Sequence, residues 1–470
     1  MLFGEGGVVP RGRIRRTMPL AGFTARAAGG AMVAALREAT GSKGALERFH
    51  AKNAERYFEV LGHSKGVLMK AGQMLSMIDT SFLGDDLSPY QEALARLQAD
   101  APPMDPEMAK RIFRDDLGQP VESVFAEFTD EPFAAASIGQ VHRAVLHNGC
   151  PVAVKIQYPA VADAIRDDLA NTELLATIVR LATSAAGMQP DFRKAAREIT
   201  ARISEEIDYH HEAANIGRFS ELYRGHPFIR VPDIVAEACG DRVLTMTYVD
   251  GMNWAAAQQA DQDLKNTWSE VIVRFVTGSF RHSNLFHADP HPGNYCFGED
   301  GTVGFVDFGC VKSLPENQRF GFVAMTRAAV EGRAQDVRDL LVQLGFFPEY
   351  STLTTAELYE SFAQPLVEQL TAPQPVTLTP DAPQKTIRAL ADVRSSDSPV
   401  RRMTVPDDLI FLTRINLSMT AILGMLSATL DLRSILDEVD GVGGAATSLG
   451  EQHLAWVRDR RLPFGLDHRD

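Results

Sequence analysis

Apolar residues recur at helical spacing through residues 43–78 and again through 87–98, so the chain opens on helices after a basic lead. Ala101-Pro102-Pro103 interrupts the pattern, and Asp105 is placed to cap a short helix ending at Gly118. The texture then changes to short apolar runs. Residues 133–145 and 152–158 predict strands, and Asn148-Gly149 between them predicts a hairpin turn. Helical spacing returns over 161–185 and 192–223, and strand patterning over 229–236 and 242–249. From Asp261 onward helix dominates, apart from residues 285–308. Residues 371–383 are proline-rich and predict a surface loop. No internal repeat is visible. A small β-rich lobe ahead of a larger helical lobe is an α+β arrangement.

At 470 residues the chain exceeds one simple core, so two domains, or one bilobal domain with an extension, are expected. Its 45% hydrophobic and 23% charged residues are those of a soluble globular protein. A formal charge of -14 argues against nucleic acid as a partner, because a phosphate backbone needs a basic face. Cys150, Cys239, Cys296 and Cys310 form no C-x-x-C pair, which predicts neither a metal cluster nor a disulfide framework and fits a reducing compartment. No signal-peptide pattern is read. The longest apolar run, residues 417–430, falls short of the ~20 residues a spanning helix needs. It predicts a buried helix instead. Residues 6–37 contain no acid. Arg11, Arg13, Arg15, Arg16, Arg26 and Arg37 are interleaved there with Met18, Leu20, Phe23 and Met32, a pattern that fits an anionic membrane surface or a basic tail.

The strongest chemical signal is Phe286-His287-Ala288-Asp289-Pro290-His291-Pro292-Gly293-Asn294, followed by Val306-Asp307-Phe308-Gly309. Phosphoryl-transfer loops read H-R-D-x-x-x-x-N and then D-F-G, and the spacing from Asp289 to Asn294 matches. One carboxylate, Asp289, serves as base or positioner at the attacking oxygen. Asn294 and Asp307 serve as Mg²⁺ ligands, because a hard cation wants oxygen donors. Upstream, Val152-Ala153-Val154-Lys155 reads as a strand whose lysine reaches nucleotide phosphates. The preceding segment, residues 134–141, aligns with G-x-G-x-x-G-x-V, with Ala134, Ala136, Ser137 and Gly139 as the phosphate-contacting positions. Alanine replaces the first two glycines. It permits close approach without glycine's freedom at positive φ, so phosphate contacts here differ from those of an ordinary kinase. Glu206, Asp208 and Glu212, on a predicted helix, supply acidic partners for the lysine. His210-His211 lacks further donors at ligand spacing and reads as an ordinary histidine pair.

Together these pieces resemble the UbiB-like atypical kinases, the group that includes coenzyme Q-linked proteins of mitochondria and bacteria. The resemblance covers roughly residues 43–432. Lys70-Ala71-Gly72-Gln73 matches the K-x-G-Q motif, and residues 134–137 match the alanine-rich loop. Glu206-Ile207-Asp208 matches E-x-D, and Glu212, Ala213 and Asn215 match E-A-x-N. His287 through Asn294 matches H-x-D-P-H-P-G-N. The resemblance implies a bilobal protein-kinase-like fold with an N-terminal helical extension over the active site. It implies a pairing of Lys155 with Glu212, and a regulatory contact of Lys70 and Gln73 with Glu206 and Asp208. Met246, Tyr248 and Val249 stand at the hinge for adenine, with Thr247 where an acid is expected.

The implied ligands are ATP with Mg²⁺, and the implied setting is isoprenoid quinone or membrane-lipid homeostasis. The domain reading is 1–40 as a basic segment, 41–118 as the helical extension, 119–249 as the small lobe and 250–470 as the large lobe. Between Gly309 and a helix from Glu316 there is no room for an activation segment, which argues against a peptide substrate. The expected protein is a Mg-ATP-binding atypical kinase or ATPase. Its partners are a nucleotide and a membrane surface or a lipid or quinone substrate, and it is cytoplasmic at the inner face of the membrane. Competing classes are a small-molecule phosphotransferase of the aminoglycoside or choline kinase type, and an ATP-gated scaffold.

Overall fold

The computed structural model describes residues 104–136, 138–159, 207–347, 352–383 and 407–467. The basic lead, the helices expected over 43–98 and 161–185 and the proline break at 101–103 lie outside the described residues. The described residues divide into two compact units, one of those up to His210 with Val235–Thr245, the other of His211–Ile234 with those from Met246 onward.

The first unit begins with α1 (Pro106–Leu117), whose ends are written into the sequence. The Asp105 carboxylate accepts the Glu107 N–H at 2.9 Å, proline takes the first helical position, and Gly118 closes the helix at φ 72°. Ala109, Ile112 and Phe113, at helical spacing, form its buried face. After α2 (Val121–Val124) come β1 (Phe125–Phe128), β2 (Ala134–Ala136), β3 (Gly139–Leu146) and β4 (Pro151–Gln157). In the second unit α3 (Tyr209–Leu222) continues and β5 (Ile229–Arg230) follows, before β6 (Val243–Thr247) returns to the first sheet. The sheet order is β1-β3-β4-β6, with β2 on the same edge of β3 as β1. Phe113, Phe125, Val152, Val154, Ile156 and Val243 make the core under α1. Each such side chain contributes roughly 1.5–3 kcal/mol by leaving water. The Asp116 carboxylate accepts the Arg242 N–H at 2.9 Å and ties α1 to the start of β6.

The predicted strand 133–145 is two strands, β2 and β3, broken between Ala136 and Gly139. Gly139 is required there for close approach. A Cβ on it would lie 2.2 Å from the Ile156 carbonyl oxygen. The hairpin at Asn148-Gly149 is present, with Gly149 at φ 84° and the Asn148 side chain accepting the Cys150 N–H at 2.9 Å.

The second unit is built on α5 (Gln262–Ser283), which follows the short α4 (Trp254–Ala257). Asp261 caps α5, and its buried face includes Trp268, Val271, Ile272 and Phe275. The strands β7 (Phe286–His287), β8 (Tyr295–Phe297), β9 (Val303–Phe305) and β10 (Val311–Lys312) make two small sheets, β5-β9-β8 and β10-β7. Helices follow: α6 (Glu316–Val330), α7 (Ala334–Gln343) and α8 (Thr355–Leu358). The π-helical turn Tyr359–Ala363 leads from α8 into α9 (Gln364–Thr371). After β11 (Val376–Thr377) come α10 (Asp407–Met425), β12 (Thr429–Leu430), α11 (Leu432–Asp440) and α12 (Ser448–Asp459).

Two expectations change here. The proline-rich stretch is more than a loop, because Val376–Thr377 pairs antiparallel with Thr429–Leu430. The apolar run 417–430 is helical only to Met425. The chain then turns through Ser427 at φ 52° and ends as β12. Half of the run is buried, including Ile422, Leu423, Leu426 and Leu430, while Met425 and Ser427 are exposed. Among the described residues no helix is long and apolar enough to cross a membrane. Among the described residues none of the four cysteines forms a disulfide.

Candidate active site

In the first unit, β3 and β4 position the lysine. Lys155 pairs across to Val141 in the ladder, and Gly139 pairs to Gln157. The lysine is 8% exposed, and its Nζ lies 5.2 Å from the ring centroid of Tyr209, itself buried. A cation over an aromatic face recovers part of the lost hydration. The Gln157 amide donates to the Ile207 carbonyl at 2.9 Å. That bond holds the chain next to Asp208 at the end of β4. Gly139, Lys155 and Asp208 are thereby brought to one end of the sheet.

Asp208 was expected within a helix; α3 starts one residue later, at Tyr209. An acid just before a helix is favoured by the exposed N–H groups and dipole at that end. The Ala134 side chain is exposed and the Ala136 side chain half-buried, on the short strand β2. Ser137, Glu206, Lys70 and Gln73 lie outside the described residues.

The hinge positions fall at the end of β6. Met246 is buried at 5% exposure and bridges to Ile234. The Thr247 hydroxyl accepts the Asp233 N–H at 2.9 Å, so its polarity is engaged within the fold. Val249 packs on Gly304, where a Cβ would meet it at 2.3 Å, while Tyr248 is half-buried. Glu212 stands in the first turn of α3 at 2% exposure.

In the second unit the acid loops are stapled to one another. The Asn294 amide donates to the Asp289 carbonyl at 3.4 Å, and the Val306 N–H donates to the Asn294 carbonyl at 3.1 Å. Asp307 follows directly. Its Oδ1 accepts the Gly309 N–H at 3.0 Å. His291 caps the turn Pro292–Asn294 by accepting the Gly293 N–H at 3.1 Å. Asp289, Asn294 and Asp307 are each half-buried, so all three stay within reach of a ligand.

Two residues carry positioning roles that motif reading left blank. His287 donates through Nε2 to the Asp307 carbonyl at 2.5 Å. That fixes its tautomer, and its buried Nδ1 has no partner among the described residues. Asn215 donates to the Phe308 carbonyl at 3.1 Å. Phe308 is fully buried against Phe219 and His287, with ring centroids 4.8 Å and 5.3 Å apart. The D-F-G backbone is thus held by hydrogen bonds from two side chains. Only the polar character of the H-x-D and E-A-x-N motifs hinted at this. His210 pairs with Asp241 at 2.9 Å, while the Asn215 amide approaches His211 Nδ1 at 3.4 Å.

Beyond Gly309 the chain is occupied at once. Val311–Lys312 pairs with Phe286–His287, and the Asn284 side chain grips both the N–H and the carbonyl of Leu314 at 3.1 Å and 2.7 Å. The helix α6 then begins at Glu316.

The donors suit a Mg²⁺-nucleotide. With its NH₂ directed to Asp289, the Asn294 side-chain oxygen faces no hydrogen-bond donor among the described residues. A carboxylate such as Asp307 retains acceptor capacity beyond one backbone N–H. Among the described residues no cluster of three or more His, Cys, Asp or Glu surrounds a metal position. Mg²⁺ bound here would take its remaining oxygens from phosphate and water, as it commonly does.

Tyr295, immediately after Asn294, is fully buried and its hydroxyl has no partner among the described residues. Burial and then the Asp289 charge push its phenol up. Tyr295→Phe is expected to leave stability unchanged or raise it by about 1 kcal/mol, because an unsatisfied buried hydroxyl is removed. Urea unfolding measures this, and a loss of more than about 1 kcal/mol would show that the hydroxyl is bonded.

Residues 96–341 match the family model of the ABC1 atypical kinase-like domain. A Synechocystis protein described as uncharacterized, sll0005, is 35% identical over 56% of this chain and 38% of its own length. The rat protein named atypical kinase COQ8B, mitochondrial, is 31% identical over 64% of this chain and 56% of its own length. The chain therefore spans between about a third and two thirds of the curated relatives it matches. Among solved structures, the complex of Rv3197 with erythromycin from Mycobacterium tuberculosis superposes with a TM-score of 0.60 at 30% identity. It covers 82% of this chain and 95% of that one.

Proposed function

This chain belongs to the ABC1 atypical kinase-like family, the UbiB group, and on that premise we propose that it binds Mg-ATP and transfers or hydrolyses the terminal phosphoryl group. The observation that carries the reading is the stapled loop pair. Asp289, Asn294 and Asp307 are linked through backbone hydrogen bonds, and the D-F-G carbonyls are held by His287 and Asn215. Such pre-set oxygens need no reorganisation when charge develops.

Asp289 orients the attacking hydroxyl or water and takes its proton. Asn294 and Asp307 hold the metal side, and Lys155 the phosphate side. Mg²⁺, if held by Asn294 and Asp307, would supply neutralisation of phosphate charge. Glu212 is proposed as the partner of the Lys155 ammonium. Lys70 and Gln73 are proposed to restrain the site through Glu206 and Asp208. Chain division into a basic segment, a helical extension and two lobes is kept as part of this reading.

The acceptor is proposed to be a lipid- or quinone-like small molecule, or water, rather than an extended peptide. The six residues from Cys310 to Pro315 are taken up by β10 and the Asn284-pinned turn, which leaves no platform for a peptide. The setting proposed is the inner face of a membrane, reached through the arginine-rich residues 6–37.

ATP hydrolysis by the full chain, measured with and without vesicles containing anionic lipid, tests this. Asp289→Asn is expected to lower turnover about 10²–10⁴-fold while nucleotide still binds. The vesicles are expected to raise wild-type turnover. Unchanged turnover in Asp289→Asn would remove Asp289 from the chemistry.

A further inference from the structure

The helical unit holds an apolar cavity of about 220 Å³. Its wall is drawn from α5, α6, α9, α10 and α11, with Phe280, Phe322, Leu423 and Leu436 among the lining side chains. Two hydroxyls at the wall are already engaged, Thr277 with the Val273 carbonyl at 2.6 Å and Thr326 with the Phe322 carbonyl at 2.9 Å. Among the described residues, the one charged side chain there, Arg281, is neutralised by Asp440 at 2.6 Å.

Three uncharged polar side chains also line the space: Gln369, Asn416 and Thr420. None of them makes a side-chain hydrogen bond among the described residues. Asn416 and Thr420 are four apart on α10 and so share one face. Part of the wall is the π-helical turn Tyr359–Ala363, which contributes Phe362 and Ala363. Such turns interrupt the regular helix ladder and recur at functional sites.

An apolar space of about 150 Å³ admits benzene and stays dry, because each enclosed water needs two to four polar partners. This cavity is larger, with polar capacity on only part of its wall. Convergence of a few polar groups in an otherwise apolar pocket is the ordinary form of a small-molecule site, and such sites occur between packed helices. An occupant with an unpaired charge is excluded by the cost of burying it, since Arg281 already has its counter-ion.

We propose that the helical unit carries a second ligand site, independent of the nucleotide reading, which takes one small uncharged amphiphile. Its apolar ring or chain fills the cavity. Its single hydroxyl or carbonyl bonds to Asn416, Thr420 or Gln369.

The test uses the full chain with octan-1-ol as probe and octanoate as its charged counterpart, read by titration calorimetry and thermal unfolding. Octan-1-ol is expected to bind saturably and raise the melting temperature, and octanoate to bind at least about tenfold more weakly. Ala363→Phe fills the space and is expected to abolish the octan-1-ol shift in a folded protein. Where that variant fails to fold, Ala329→Leu on another part of the wall serves instead. Thr420→Val, nearly isosteric, is expected to weaken octan-1-ol several-fold. No saturable binding to wild type, equal binding of octanoate, or an undiminished shift in a folded filled variant overturns the proposal.

Discussion

Acidification from pH 7.5 to 5.5 is expected to remove roughly 4 kcal/mol of folding stability, through three buried histidines that have no place for an added proton. His282 Nδ1 faces the Pro463 carbonyl at 2.7 Å, which only accepts, so that nitrogen carries the hydrogen. His226 Nδ1 accepts the Ile229 N–H at 3.0 Å, so its Nε2 carries the hydrogen and donates to His453 Nδ1 at 3.0 Å. His453 must then donate through Nε2 to His282 Nε2, 3.2 Å away. Every ring is neutral, and every ring nitrogen is engaged.

Burial, followed by the charges of Arg230 and Arg274, pushes His226 down to about 2. Burial pushes His282 down to about 4, against the raising effects of its Pro463 bond and Asp467. Burial, followed by its two histidine neighbours and Arg274, holds His453 well below its ordinary value. The unfolded chain binds protons on all three below about pH 6.5, and the folded chain does not. Stability therefore falls as pH drops through 6.5, by about 1.4 kcal/mol per histidine at pH 5.5. Urea unfolding at several pH values measures the slope, and His453→Gln is expected to reduce it by about a third. A stability that is flat between pH 7.5 and 5.5 would contradict the cluster.

Glu438→Ala is expected to cost about 3 kcal/mol, because it leaves one arm of the buried Arg274 guanidinium without its acceptor while Glu270 stays in place. Arg274 and Glu438 are fully buried and meet at 2.6 Å. Arg274 also reaches Glu270 at 2.9 Å and Thr447 at 3.3 Å, and Glu438 accepts the Ala446 N–H at 3.0 Å. These bonds join α5 to α11 and to the start of α12. The neighbouring Arg281–Asp440 and Arg327–Asp440 contacts, at 2.6 Å and 2.5 Å, add α6 to the same junction. A control is Glu221→Ala, an exposed carboxylate paired with Arg224 and Arg460 at the surface, which is expected to leave the urea midpoint nearly unchanged. Equal costs for the two substitutions, from urea unfolding, would show that the buried network does not organise the helical unit.

The parts of the fold legible in the sequence were those fixed by neighbours in the chain. The helix α1 was readable because Asp105 and Gly118 act within one turn of it. The hairpin at Asn148-Gly149 was readable because positive φ needs glycine. The break between β2 and β3 was not read as a turn, since Ser137 and Gly139 lie within a run that otherwise patterns as one strand. Gly139 there answers to the Ile156 carbonyl on β4, outside its own strand. The strand β12 was hidden because an apolar run continuing a helix gives no warning of the reversal at Ser427.

The same rule governs the site. Asp289, Asn294 and Asp307 could be singled out as candidates because phosphoryl transfer demands particular spacings. His287 reaches a carbonyl 20 residues away and Asn215 one 93 residues away, so their work depends on the folded chain. The histidine cluster and the apolar cavity draw on residues still farther apart, and neither leaves a local pattern.

The central claim is that Asp307 holds a metal-bound nucleotide. Asp307→Asn tests it most directly, because asparagine can still accept the Gly309 N–H while losing the charge. Thermal unfolding of wild type and variant is compared with ADP alone and with Mg-ADP. The wild type is expected to gain stability with Mg-ADP, by about 2.7 kcal/mol at roughly 100 times its dissociation constant. Asp307→Asn is expected to unfold at the wild-type temperature without ligand and to lose most of the Mg²⁺-dependent gain. A wild-type protein that shows no shift with millimolar Mg-nucleotide, or a variant that keeps the full Mg²⁺-dependent shift, would contradict the account.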